Sequence, residues 1–156
     1  MFEKIIWATD GSESADRALP YAKALAADGS LLVLYCKELL FGRAGGYPAL
    51  ADDEQLEEKI RQQTAELQSE GVETTFELVT GVSRHAADMI ADVARETGAD
   101  LVVVGSHGHT AVGSLLLGSV TQKLLHVAPC PVLAIPPMKQ TVASEASERV
   151  LVEAAR

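Results

Sequence analysis

Leu101-Val-Val-Val-Gly-Ser-His-Gly-His-Thr-Ala-Val-Gly-Ser-Leu-Leu-Leu-Gly-Ser-Val120 joins a pure apolar run to a glycine-punctuated loop and then to a helical pattern that ends near Val127. A buried strand, a glycine loop and a helix start are the parts from which α/β folds build phosphate sites. Glycines let the backbone approach an anion closely, and the amides at a helix N-terminus point at it. The spacing narrows the choice. Gly105 and Gly108 are followed, after nine intervening residues, by Gly118-Ser119. No Gly-Lys-Ser/Thr end makes this a P-loop, and no compact G-x-G-x-x-G makes it a dinucleotide turn.

Outward from this stretch, strand and helix signals alternate. Lys4 to Thr9 reads as the first strand, Asp10-Gly11-Ser12 as a turn, and Ser12 with Ala15, Leu19, Ala22 and Ala26 as a capped helix to about Ala27. Pro20 falls inside that pattern and predicts a kink or a late start. Leu31 to Cys36 is the second strand, and Phe41 to Pro48 reads as an aperiodic loop. Leu56, Ile60, Thr64 and Leu67 mark a helix over Asp52 to Ser69. Thr74 to Val79 alternates polar and apolar residues, which suits an edge strand. Gly81 leads to a helix carrying Ala86, Ile90, Val93 and Ala94, closed by Gly98. Leu101 to Val104 is the fourth strand, Val120, Leu124 and Leu125 define the fourth helix, and Pro131 to Ile135 is the fifth strand. The alternation predicts an α/β fold, a single doubly wound five-stranded parallel sheet with helices on both faces. The order 3-2-1-4-5 buries the continuous apolar runs and puts the alternating and proline-flanked strands at the edges. It also opens a crevice at the carboxyl ends of strands one and four, where Asp10 and Gly105 lie.

The chain resembles the universal stress protein family. The family's nucleotide signature, G-x2-G-x9-G-[S/T], is matched by Gly105, Gly108, Gly118 and Ser119. Ile5 to Ser12 is similar to the family's first strand, and Ala128 to Ile135 to its last, so the resemblance spans residues 2 to 136. It implies a Rossmann-like domain of the ATP-binding type with this strand order. ATP would then bind with Mg2+ or Mn2+, the triphosphate against the amides of Gly118, Ser119 and Val120 and along Gly105 and Gly108. Asp10 would accept from the ribose hydroxyls, and adenine would lie near Ala8, Thr9 and Cys36. His107 would stand beside the phosphates. The metal would be held through the phosphates, with the Ser119 hydroxyl as the protein's own contribution. The resemblance also implies a homodimer through the last strand, residues 131–135.

Plainer readings stand beside these. The glycines also serve turn and cap geometry, Asp10 suits a turn before Gly11, and Cys36 suits ordinary core packing. Asp10 can fill both roles, one carboxylate oxygen capping while the other faces a ligand. His107 and His109 lack a third ligand for a structural zinc site, and near-neutral titration makes them a source of pH sensitivity. His85 and His126 read as helix surface or helix end residues.

Composition sets the outer limits. The chain has 156 residues and 47% hydrophobic content, enough for one core. A net charge of −9, from 22 acidic against 13 basic residues, argues against nucleic acid or anionic membrane as partners. It also leaves anion binding to local amides and a divalent cation. No apolar run approaches the ~18 residues of a membrane span, and the N-terminus does not read as a signal peptide. Cys36 and Cys130 read as buried strand residues without a disulfide, and a cytoplasmic location is expected. The loop has no lysine for a γ-phosphate and no arginine finger, so catalytic residues are not expected and any ATPase activity should be slow. Residues 1–137 are expected to form the nucleotide-binding domain and 138–156 a short helix or disordered extension. The loop Phe41 to Leu50, with Arg43, reads as a lid or a surface loop. Three classes of function remain open: a regulatory protein binding ATP, AMP or a cyclic nucleotide, a nucleotide-independent dimeric scaffold, and an adenine-nucleotide hydrolase or nucleotidyl transferase.

Overall fold

A computed structural model describes residues 1–39, 41–42, 45–46, 51–108 and 117–136. In chain order the elements are β1 (Lys4–Ala8), α1 (Glu13–Leu25), β2 (Ser30–Leu39), β3 (Phe41–Gly42), β4 (Gly45–Gly46), α2 (Ala51–Ser69), β5 (Glu73–Val82), α3 (Ala86–Thr97), β6 (Leu101–Gly105), α4 (Ser119–Val127) and β7 (Val132–Ile135). The main sheet has the order β5-β2-β1-β6-β7, every pairing parallel, which is the expected 3-2-1-4-5.

The centre of that sheet follows from its residues. Every residue of β6 is buried, and in β1 only Lys4 is exposed, as a strand covered on both faces requires. Alternate side chains divide between two cores. Ile5, Trp7, Leu31, Val33 and Val103 pack with Ala18 and Ala22 of α1 and with Ile60 and Leu67 of α2. Ile6, Ala8, Leu34, Val102 and Val104 pack with Ile90 of α3 and Leu124 of α4. The helices therefore cover both faces in pairs. Ser12 caps α1, its hydroxyl accepting from the Ala15 amide at 3.2 Å. Gly98 ends α3 in the left-handed region at φ 66°.

Several boundaries differ from the sequence reading. Pro20 neither delays nor ends α1, which runs from Glu13 through Leu25. The proline is exposed, so water can satisfy the carbonyl that its missing amide leaves. Phe41–Gly42 and Gly45–Gly46 pair antiparallel, where an aperiodic loop was expected. Arg43 and residues 47–50 lie outside the described residues, as do the expected extension 138–156 and His109. Cys130 precedes β7 instead of lying within it, and both cysteines are free.

The largest difference is in β2, which continues past Cys36 to Leu39 and stays paired with β5 to the register Leu39↔Val82. Lys37 and Glu38 hide this continuation in the sequence because they are polar. In the structure Lys37 pairs with Glu57 of α2 at 3.0 Å, and its ammonium lies 5.5 Å from the Tyr35 ring centroid. Since β1 ends at Ala8, opposite Leu34, the β2 segment from Tyr35 onward overhangs the end of the central strand. That overhang forms one wall of a crevice.

Asp100 fastens the other end of the sheet. Its Oδ2 accepts from the amides of Glu3 and Lys4, both at 2.9 Å, and its own amide donates to the Lys4 carbonyl at 2.8 Å. The Lys4 amide, then the Glu3 amide, hold the Asp100 carboxyl below its ordinary value of 3.8. A group depressed in the folded state contributes stability above its unfolded value and loses it as pH falls through the folded value. Asp100→Asn should therefore lower the melting temperature near neutral pH and leave it nearly unchanged once the pH has fallen well below the lowered carboxyl value. Thermal melts across that range check this, and an equal loss at both ends would remove the carboxylate from the account.

Candidate functional site

The chain leaves β1 through a turn fixed by its own side chains. The Thr9 amide donates to the Leu34 carbonyl at 3.0 Å, and the Gly11 amide to the Thr9 hydroxyl at 3.0 Å. Asp10 Oδ1 accepts from the Ser12 amide at 3.0 Å. The carboxylate thus serves the turn with one oxygen. The other, Oδ2, faces Gly108: a Cβ placed there would stand 2.7 Å from it.

The chain leaves β6 just as tightly held. A Cβ on Gly105 would meet the backbone of Ser14 and Ala15 at 2.6 and 2.7 Å, so the space this glycine leaves is filled by α1. The Ser106 amide donates to Ile135, and the His107 amide reaches the Ser14 hydroxyl at 3.4 Å. The His107 ring pairs through Nδ1 with the Ser106 hydroxyl at 2.8 Å. Across from this loop, Gly118 is the N-cap residue of α4, with no side chain capping the helix. Its amide donates to the Ser106 carbonyl at 2.7 Å, and Thr121 donates through its hydroxyl to Gly105 at 2.9 Å. The first bond of the helical ladder is Gln122 to Gly118. The amides of Ser119 and Val120 lie ahead of it, at the positive end of the helix dipole.

These pieces enclose one cavity of about 590 Å³ at the carboxyl ends of β1, β2 and β6. Ala8, Thr9, Asp10 and Cys36 line it from the ends of β1 and β2, Gly105 from the end of β6, and His107 and Gly108 from the loop after it. Gly118, Ser119 and Val120 line it from the start of α4. All ten residues singled out in the sequence are brought to one place.

The cavity also has members that the sequence did not suggest. Ile90 and Leu34 add apolar wall, while Glu38, His85 and Ala86 form a polar end between the overhang of β2 and the start of α3. His85 is the N-cap of α3, its Nδ1 accepting from the Ala87 amide at 3.2 Å. Glu38 Oε1 accepts from the Ala86 amide at 2.5 Å and lies 4.0 Å from His85 Nδ1. Glu38 lies beyond the legible strand, so no sequence signal drew attention to it, and His85 reads in the sequence as a helix surface or helix end residue without a place in the site. His126 is exposed in the last turn of α4.

The charged side chains among the described lining residues are acidic or imidazole, without a lysine or arginine. No group of three or more His, Cys, Asp or Glu side chains is placed to hold a metal among the described residues. Burial, reinforced by the carboxylates of Glu77 and Glu38, pushes the Cys36 thiol up to about 12. It lines the cavity as a neutral group and not as a nucleophile. Cys36 should resist iodoacetamide in the native protein at least about a hundredfold better than in urea, as a thiol almost never ionised near pH 8 must. Peptide mass spectrometry reads this directly, and native labelling as fast as in urea would contradict the assigned environment.

The sequence model of the universal stress protein family matches residues 1–136. The chain belongs to that family. Among its relatives, the Thermus aquaticus protein named "universal stress protein in QAH/OAS sulfhydrylase 3′ region" is 37% identical over 145 residues, covering 86% of this chain and 99% of its own. The fold is similar to that of a universal stress protein in complex with cAMP, at a TM-score of 0.60 and 23% identity, over 86% of this chain and 96% of the other. It is equally similar to the universal stress protein from Archaeoglobus fulgidus in complex with dAMP, at a TM-score of 0.60 and 22% identity, over 86% and 98%. Within the universal stress protein fold, the cavity stands where a doubly wound sheet places its ligands, between strands whose connections diverge.

Proposed function

We propose that this universal stress protein binds an adenine nucleotide in the cavity between β1 and β6, as ATP with Mg2+ or Mn2+, and acts as a regulatory stress-response protein with slow or no hydrolysis. One observation carries the reading: the strand ends and the start of α4 bring all ten candidate residues around a single cavity. Its volume of about 590 Å³ falls among those of small-molecule sites. That two relatives of the same fold are complexes with cAMP and dAMP supports an adenine nucleotide as the ligand.

Each residue has a part in this reading. The amides of Ser119 and Val120 take phosphate oxygens, with Gly118 leaving the helix start open to them. Gly108 gives the phosphates access to the backbone, and Gly105 seats the loop on α1. The Asp10 oxygen beside Gly108 accepts from the ribose, and His107 stands beside the phosphates. Ala8, Thr9 and Cys36 form the base wall. A divalent cation would offset the charge that the acidic lining does not, held by the phosphates and the Ser119 hydroxyl. No lysine or arginine among the described lining residues is available to stabilise a transferring phosphoryl group, which supports slow turnover.

The same proposal includes a homodimer through residues 131–135. It rests on β7 being an edge strand whose residues Val132, Leu133 and Ala134 are only half-buried. It also includes a cytoplasmic location. Among the described residues, no helix is long and apolar enough to cross a membrane.

Titration calorimetry of MgATP into protein stripped of carried-over nucleotide tests the central claim. Micromolar binding at one site per chain is expected. Folded, stripped protein that takes up no ATP would leave the scaffold reading in its place.

A further inference from the structure

The polar end of the cavity has a donor–acceptor pattern of its own. We infer that Glu38 and His85 form a base-reading pair that selects adenine over guanine and hypoxanthine. The inference rests on the nucleotide-binding reading above and names the residues that set its specificity.

The cavity changes character along its length. At one side stand the open start of α4 and the glycines at 108 and 118, suited to phosphate. Apolar walls follow, from Ala8, Leu34, Val104 and Ile90, with the neutral Cys36 thiol among them. Such walls suit the faces of a planar base. Glu38 lies two residues beyond Cys36 on the overhang of β2, and side chains two apart in a strand share a face. A base seated against Cys36 therefore turns an edge toward Glu38 and His85.

The hydrogen bonds already made fix what this pair can offer. Glu38 uses Oε1 on the Ala86 amide. An ionised carboxylate only accepts, and its Oε2 makes no further hydrogen bond among the described residues. His85 Nδ1 accepts from the Ala87 amide, which leaves the neutral ring's proton on Nε2 as a donor. The cavity end thus presents one acceptor beside one donor. Adenine carries the complement on one edge, an exocyclic amino donor next to the N7 acceptor. Guanine and hypoxanthine place a carbonyl oxygen where adenine has the amino group, and that oxygen would face the carboxylate. Acceptor against acceptor is repulsive, and neither group then gains a partner from the base.

Both residues are anchored through the start of α3, so they stand pre-set without a ligand. Glu38 and His85 are one-third to two-fifths exposed, at 38% and 33%, which keeps a path for the base to enter.

The test compares ATP, ITP and GTP, each with magnesium, by titration calorimetry on the stripped full-length protein and on Glu38→Gln. Glutamine can still accept from the Ala86 amide, yet its amide also offers a donor. The native protein should prefer ATP to ITP by about tenfold or more, and Glu38→Gln should reduce that ratio to within about threefold. His85→Asn, which retains a capping oxygen, should weaken ATP without reversing the preference. Thermal melts of both variants confirm an intact fold. Binding without preference, or a preference that Glu38→Gln leaves untouched, overturns this inference while the nucleotide reading stands. No binding of any of the three by folded native protein overturns both.

Discussion

Gly118→Val is expected to weaken MgATP binding by at least about a hundredfold while leaving a folded protein. The reason is where the added carbons would go. A Cβ at this position already stands 3.3 Å from both the His107 Cα and the Ser106 carbonyl, and 3.5 Å from the Gly108 amide. These are backbone atoms, and they cannot turn aside as a side chain would. The two further methyls of valine must push the start of α4 away from the loop after β6. The Gly118-to-Ser106 bond at 2.7 Å, which holds the two together, is then lost or stretched. Phosphate amides on α4 and the glycines of the loop would no longer converge. The fold itself should survive, because Gly118 has φ −59°, a value any residue adopts. Valine is a poor N-cap, which costs about 1 kcal/mol and a few degrees of melting temperature. Calorimetric titration and a thermal melt on the same preparation separate the two effects. Native-like affinity in the variant would remove the start of α4 from the binding site.

Trp7→Ala should lower the unfolding free energy by about 3–5 kcal/mol. Trp7 is fully buried at the centre of the sheet, and its indole N–H donates to the Ala15 carbonyl at 3.1 Å. It therefore ties β1 to the first turn of α1, which also carries the Ser14 hydroxyl that receives the His107 amide. Removing the ring leaves a cavity between small neighbours, Ala18 and Ala22, which cannot fill it. Trp7→Phe keeps most of the volume and should lose less than half as much. Urea unfolding followed by circular dichroism is the suitable measurement, since this is the chain's single tryptophan and its fluorescence disappears with it. A loss below about 1.5 kcal/mol would show that the core closes around the missing ring.

Much of the fold was legible because burial leaves a periodic mark. Leu101 to Val104 and Ile5 to Ala8 are apolar throughout because both faces of a central parallel strand are covered. Ser12 and Gly98 announced the ends of their helices through capping chemistry that depends on one or two residues. The glycine spacing was legible for a related reason, since a side chain at 108 would meet the Asp10 carboxylate and one at 118 would press on the backbone of the loop after β6. What was missed lies where tertiary contacts override local pattern. Lys37 and Glu38 read as the end of a strand, yet Glu57 and the Ala86 amide give them partners that no nearby sequence reveals. Pro20 suggested an interruption because sequence does not say which side of a helix faces water. His85 reads as a helix surface or helix end residue, which its N-cap position bears out, but its place in the cavity depends on the overhang of β2 coming to meet it. Gly105 gained a further reason, room for α1.

The pairing of distant segments at the crevice has a consequence for how the protein is made. The His107 amide meets the Ser14 hydroxyl across 93 residues of chain, and Asp100 meets Glu3 across 97. A ribosome must therefore release nearly the whole domain before Asp10 and Ser119 can face one another. No shorter nascent chain has a mouth for the ligand to enter. A nucleotide present during synthesis would act only on the finished molecule, holding it closed against reopening by about 2.7 kcal/mol at a hundred times its dissociation constant.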